Sequence, residues 1–212
     1  MIQIDDAGSG SLVGGTCIGI IRIETDEYHY DIIPLDYYTE EKFNKKQYLN
    51  KATEIAIRFL KEMKVDKSEE INVCRGYMFD NLREYLKTNG YNYKSVKILN
   101  PLQDKIEKSF EKYALSLGLP KRFLCYTKYP FHFHKLLRWV YADYDNRYKL
   151  CKTGWKSFIK YSSLKIEESY SILDKEKNYC CPRCGKKIDL GPVKVIKFIS
   201  NHLNTIYLHV NC

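Results

Sequence analysis

The chain has 212 residues, 44% of them hydrophobic and 29% charged. That is enough apolar material for one medium-sized domain with a small appendage, and enough charge for solubility. No apolar run reaches the roughly 20 residues of a membrane-spanning helix, and the chain opens on a strand-like segment with no targeting peptide, so a cytoplasmic protein with no membrane partner is expected.

The 35 Lys and Arg exceed the 26 Asp and Glu, for a net charge of +9. An excess of this size favours an anionic partner, most commonly nucleic acid, and 19 Tyr and 9 Phe offer faces on which bases stack. The same wealth of Lys, Tyr, Asn and Ile also follows from AT-rich coding DNA.

The first 35 residues read as three strands: Met1–Asp5, Thr16–Thr25 and Tyr28–Leu35, with a turn at Asp26-Glu27. A Gly-rich loop, Ala7–Gly15, joins the first two. Thr39, Glu40 and Glu41 mark a helix start, and apolar residues from Tyr48 to Met63 recur at helical spacing. Ile71–Gly76 and Tyr93–Leu99 read as strands. Helices are predicted over Phe79–Asn89 and from Asn100-Pro101 to Leu117. Lys121–Phe133 interleaves basic and aromatic residues as an irregular loop, and a further helix carries Leu136 to Tyr148. Lys160–Lys177 is polar and unpatterned, as a linker is.

The C-terminal segment carries metal-binding spacing. Cys181-Pro182-Arg183-Cys184-Gly185 is a Cys-x-x-Cys turn, and His209-Val210-Asn211-Cys212 supplies a second pair. Cys181, Cys184, His209 and Cys212 complete a tetrahedron suited to Zn²⁺, and a site closed by four protein ligands is structural. Cys180 is a spare thiol beside it. Cys17, Cys74, Cys125 and Cys151 stand singly in apolar surroundings and read as small buried hydrophobes. In this setting disulfides are not expected.

Near the N-terminus, Asp5 and Asp6 precede Ala7-Gly8-Ser9-Gly10. Adjacent acids within a strand face opposite sides. At a strand end both can aim at one point, where Mg²⁺ or Mn²⁺ would relieve their repulsion. Such a cluster supports metal-assisted phosphodiester hydrolysis.

Asp5-Asp6-Ala7-Gly8-Ser9-Gly10, followed by Gly14-Gly15 and an apolar strand, resembles the opening motif of type 2 ribonuclease H. The order of elements is similar to the wider ribonuclease H-like superfamily, which includes Holliday-junction resolvases. The resemblance implies an α/β fold, a mixed five-stranded sheet with helices on both faces, over residues 1–155; the polar stretch and the Cys/His spacing add a linker over 156–177 and a small zinc-binding unit over 178–212. It also implies a metal-dependent nuclease with an Asp on the first strand and further acids near the end of the fourth strand and on a late helix. Asp5 fits the first position, and Asp6 stands where type 2 enzymes have Glu. Ser9 replaces their Arg, and the fourth strand ends in Cys74-Arg75-Gly76 without an acid. Asp80 and Asp143 are the candidates to complete the cluster, with Asp145 and Glu54 behind them. Asp80 also suits a helix cap, and Asp143 suits a helix pair with Arg147.

Lys121 and Arg122 in the aromatic loop, and Arg183, Lys186 and Lys187 in the zinc-binding unit, are the expected phosphate contacts. Two alternatives remain: a catalytically degenerate ribonuclease H-like protein that only binds nucleic acid, and a fragment of an actin-like ATPase whose Gly-rich turn holds phosphate. His132 and His134, between Phe131 and Phe133, either orient a water or leaving group or belong to a packed loop. Gly8-Ser9-Gly10 lacks the spacing of a nucleophile elbow, and no small-molecule cofactor is expected.

Overall fold

The computed structural model describes residues 1–124, 129–175 and 179–212. The chain divides into two compact units. One comprises Met1–Ser9 and Gly15–Tyr113, the other Gly10–Gly14 and Ala114–Cys212. The expected boundaries at residues 155 and 177 both fall inside the second unit. Among the described residues no helix is long and apolar enough to cross a membrane.

The first unit is an α/β layer structure around a five-stranded mixed sheet. Its strands are β1 (Ile2–Ala7), β2 (Thr16–Arg22), β3 (Glu27–Ile33), β4 (Ile71–Cys74) and β5 (Tyr93–Val96), in the order β3-β2-β1-β4-β5. β1, β2 and β3 pair antiparallel, as short hairpin-type links require; β1, β4 and β5 pair parallel, as helical crossovers allow.

One face carries Ile2, Ile4, Ile18, Ile20, Ile71 and Val73, all 0% exposed. It packs in one core with Ala52, Ile55, Phe59 and Leu60 of α2 (Gln47–Glu62) and Leu82 and Leu86 of α3 (Asp80–Thr88). Each large apolar side chain so buried contributes about 1.5–3 kcal/mol relative to exposure. A short helix, α1 (Glu40–Asn44), precedes α2 and is separated from it by Lys46 in a left-handed conformation, so the helix expected to run on from Thr39 is broken. Thr39 makes no side-chain cap; its hydroxyl donates to the Asp36 carbonyl.

The opposite sheet face is covered by α4 (Leu102–Ser116), whose Ser109 Oγ lies 2.9 Å from the Tyr28 hydroxyl. Phe110 fits against Gly8, where φ is +83° and a Cβ would lie 2.1 Å from the ring. Glycine is therefore required at the turn immediately after the acidic strand.

The second unit has its own core, centred on Leu136, Leu137, Trp139 and Val140 of α6 (Phe133–Tyr141). Its strands are β6 (Ile166–Leu173), β7 (Gly191–Ile199) and β8 (Leu203–His209), an antiparallel sheet in that order. The interleaved loop begins as a short helix, α5 (Lys121–Leu124); Cys125 and the rest of residues 125–128 lie outside the described residues. The helix expected to continue to Tyr148 breaks after α6, and α7 (Tyr144–Arg147) starts anew with Asp143 in a non-helical conformation before it. The stretch expected as a linker carries α8 (Lys156–Tyr161) and all of β6, with residues 176–178 outside the described residues.

The Gly-rich loop is not an open cradle. Ser11, Leu12 and Val13 are buried within the second unit, where Gly14 N–H donates to Leu150 O at 2.9 Å and Lys152 N–H to Leu12 O at 2.9 Å.

Candidate metal centre and acidic site

The Cys-x-x-Cys turn is built by backbone hydrogen bonds. Cys181 N–H donates to Lys186 O at 2.9 Å, and Gly185 N–H to Cys181 O at 2.8 Å. Gly185 holds φ at +76°, and a Cβ there would lie 2.7 Å from Pro120 Cβ, so both backbone and space demand glycine. β8 delivers His209, and a turn with Cys212 N–H on His209 O at 3.0 Å returns the last residue. The ligand atoms of Cys181, Cys184, His209 and Cys212 then all lie within 4.8 Å of one another.

His209 Nδ1 is 3.3 Å from Cys184 Sγ and 3.8 Å from Cys212 Sγ, while Nε2 donates to Lys187 O at 3.0 Å. That bond fixes the tautomer and leaves the Nδ1 lone pair for a metal. Burial opposes ionisation of Cys181, but N–H groups of Cys184, His209 and Arg183 outweigh it and bring the thiol down to about 7. Burial and the neighbouring Cys181 and Cys184 push Cys212 up to about 11. Thiolates gathered this closely repel one another, and a cation between them would offset that repulsion. Three sulfurs and one imidazole at this spacing could hold a zinc ion. Cys180 is outside the set: its thiol points to Gly185 O at 3.3 Å.

Arg183 and Asp143 meet in the second unit. Arg183 Nε donates to Ala142 O at 2.7 Å, another nitrogen donates to Cys212 O, and a third is 3.5 Å from Asp143 Oδ1. Its guanidinium thus ties down the chain end that carries a ligand. Asp143 also faces Arg147 at 4.0 Å, the pairing that the helix spacing allows. Arg147 is buried, lies 4.1 Å over the Trp139 ring and donates to Trp139 O; burial lowers it to about 10. Asp143 is the counter-charge of two arginines in the second unit.

On β1, Asp5 and Asp6 pair with Gly19 and Ile18 of β2, because the strand continues through Ala7. They therefore alternate faces instead of converging at a strand end. The Asp6 charge raises the hydroxyl pKa values of Tyr38 and Tyr77, which burial already raises. Asp5 is held above the usual carboxylate range by burial, reinforced by Glu107 and opposed by bonds from the Cys74 thiol and the Asp6 N–H. The parallel β1–β4 pairing thus brings Cys74 to the position beside Asp5. It is a hydrogen-bonded, half-buried thiol pushed up to about 11 by burial and the two aspartates, not an inert core residue. Asp80 pairs with Arg83, which also donates to Cys74 O at 2.6 Å and Gly76 O at 3.2 Å. Among the described residues, no third acid joins Asp5 and Asp6 in a group close enough to share an ion.

Sequence reasoning missed Cys74 and Glu107 as neighbours of Asp5. Cys74 was visible as the last residue of the fourth strand. Glu107 follows Ile106 on a helix whose packing the local pattern does not reveal.

Lys121, Arg122 and Lys186 are exposed, and Lys187 is half-buried. The charge is unevenly divided: residues 114–212 hold 18 Lys and Arg against 7 Asp and Glu, and residues 1–113 hold 17 against 19. The whole basic excess belongs to the second unit.

Two outcomes follow. Arg183→Gln should weaken zinc affinity about 10–100-fold in chelator competition, as loss of a supporting contact does, while Lys186→Gln leaves it unchanged. Because folding raises the Asp5 pKa, its ionised form costs stability once pH passes the ordinary carboxylate range, and the cost persists above the folded value. Asp5→Asn should therefore raise the urea midpoint at pH 7.5 and leave it nearly unchanged at pH 3; a lower midpoint at pH 7.5 would contradict this. A scan of protein-family models and a search of curated proteins found no match to this chain, so its function is argued from the geometry.

Proposed function

We propose that this chain binds nucleic acid, with a ribonuclease H-like α/β unit followed by a unit that structural zinc holds together and that supplies the phosphate contacts. The observation that carries the reading is the gathering of all the excess positive charge in the unit with the Cys₃His cluster. Lys and Arg on such a surface release counterions from a phosphate backbone, which drives binding. Four protein ligands leave zinc no open position for substrate, so its part is to fix the knuckle and the chain end. The pairing of β1 with β4 supports the ribonuclease H-like reading, since that family implies functional residues on the first strand and near the end of the fourth.

Binding is favoured over hydrolysis by the surroundings of Asp5. Cys74 stands where an acid is expected, Asp80 is paired with Arg83, and Asp143 serves two arginines. A Mg²⁺- or Mn²⁺-dependent nuclease is the second reading, favoured by Glu107 acting on Asp5 as a further acid. The actin-like ATPase reading has little support, since Ser11, Leu12 and Val13 of the Gly-rich loop are buried and Gly14 N–H has a backbone partner.

The test is fluorescence anisotropy with labelled single-stranded DNA, duplex DNA, RNA and hybrid, over a range of salt. Affinity should fall steeply with salt. Lys121→Gln with Arg122→Gln should weaken binding about tenfold and reduce the log–log salt slope by about 2. The same substrates incubated with Mg²⁺ and Mn²⁺ should remain intact. Cleavage abolished by Asp5→Asn would establish the second reading, and failure to bind any of the four would overturn the first.

A further inference from the structure

Three of the chain's five histidines meet in the second unit, away in sequence from the cysteine cluster. His132 and His134 have ring centroids 5.9 Å apart, and His134 and His202 are 5.5 Å apart. The turn between β7 and β8 brings His202 into place. There Asn204 donates to Ser200 Oγ and to His202 O, both at 2.9 Å, and Ser200 Oγ lies 3.4 Å from His134 Nδ1. The Tyr161 ring of α8 closes one side, 5.6 Å from His134.

The surrounding charges share one sign. Arg138, one turn beyond His134 on α6, has no hydrogen-bond or ion-pair partner among the described residues, although burial lowers its pKa. Lys160 on α8 lies over the Tyr161 ring and likewise has no acidic partner among them. The groups that act most strongly on His134 besides its burial are His202, His132, Arg138 and Lys160, and all of them disfavour its protonation. α6 begins at this point, with His132 as its N-terminal boundary and no side-chain cap. Arg138 is exposed and holds a permanent charge with no acidic partner among the described residues. Beside three imidazoles and a helix start without a side-chain cap, such a guanidinium favours an anion. A metal is a poor occupant, because these ring nitrogens form no metal-sharing group and two permanent cations stand beside them.

We propose that His132, His134 and His202, with Arg138 and Lys160, form a phosphate-binding site whose affinity rises as the histidines take up protons. The ligand chemistry is a phosphate or phosphodiester group. On the proposed reading of this protein it is the nucleic-acid backbone, so in that respect the inference rests on that reading. An anion bound here favours the imidazolium forms, so by linkage binding takes up protons and strengthens as pH falls through the histidine range.

The test follows the imidazole Cε1 protons by NMR from pH 5 to 8, with and without inorganic phosphate, using His29, which is paired with Glu27 in the other unit, as the internal control. In parallel, anisotropy measures a labelled single-stranded oligonucleotide at pH 6 and pH 8. Phosphate should move the titrations of His134 and His202 upward and leave His29 unmoved. The oligonucleotide should bind about tenfold tighter at pH 6, the effect of a net pKa rise of about one unit. Arg138→Gln and His202→Asn, both on exposed side chains, should each bring that ratio close to one. Oligonucleotide binding indifferent to pH and to both variants would overturn the site and leave nucleic-acid binding standing. Titrations that respond to phosphate in a protein that binds no oligonucleotide would keep the site, for small phosphate compounds, and remove the nucleic-acid reading. Titrations that ignore phosphate, in a protein that binds no oligonucleotide, would overturn both.

Discussion

Three thiols and an imidazole held within 4.8 Å of one another are the constraint around which the second unit is arranged. The knuckle, β8 and the last residue of the chain meet there, and Cys181 belongs to the apolar core of the unit. Without a cation the cluster is frustrated: one thiol is held near neutrality while another is pushed up to about 11. A zinc ion bound there would remove that conflict and couple metal binding to folding. It would also tie down a chain end, where fraying is the ordinary outcome. Arg183 and Asp143 extend the arrangement outward, converting one ion pair into a restraint on the Cys212 carbonyl.

The first unit presents the opposite situation. Asp5 is partly buried, and that burial, with Glu107, raises its pKa against the hydrogen bonds from the Cys74 thiol and the Asp6 N–H. A two-metal centre depends on several convergent oxygen ligands, and the alternation of Asp5 and Asp6 across β1 works against that convergence. What this unit contributes under the binding reading is a stiff sheet covered by helices on both faces. The other unit contributes the charge. The division of charge between residues 1–113 and 114–212 is a plain property of the sequence, but it takes meaning only once the structure supplies the division into units.

Local signals in the sequence were read well. Cys181, Cys184, His209 and Cys212 follow from two short spacings, and the first three strands follow from β-branched runs with a turn between them. The five-stranded mixed sheet with helices on its faces follows from the order of elements. Nonlocal features were not legible. β6 is exposed along nearly its whole length, so it has no apolar alternation and passes for a linker. The burial of Leu12 and Val13 depends on a bridge from Val13 to Cys151, far along the chain. The pairing of Asp143 with Arg183 spans 40 positions, and the approach of His202 to His134 spans 68. No window of local sequence reports such contacts. The acids at 80 and 143 match the family pattern by position, and their approach to Arg83 and Arg183 emerges from the structure.

X-ray absorption at the zinc K-edge on the purified protein tests the central claim most directly. The account predicts one zinc per chain, with three sulfur neighbours at about 2.3 Å and one nitrogen at about 2.0 Å, and one sulfur fewer in Cys212→Ser. A first shell containing water or carboxylate oxygen, or a protein that folds fully without zinc, would contradict it.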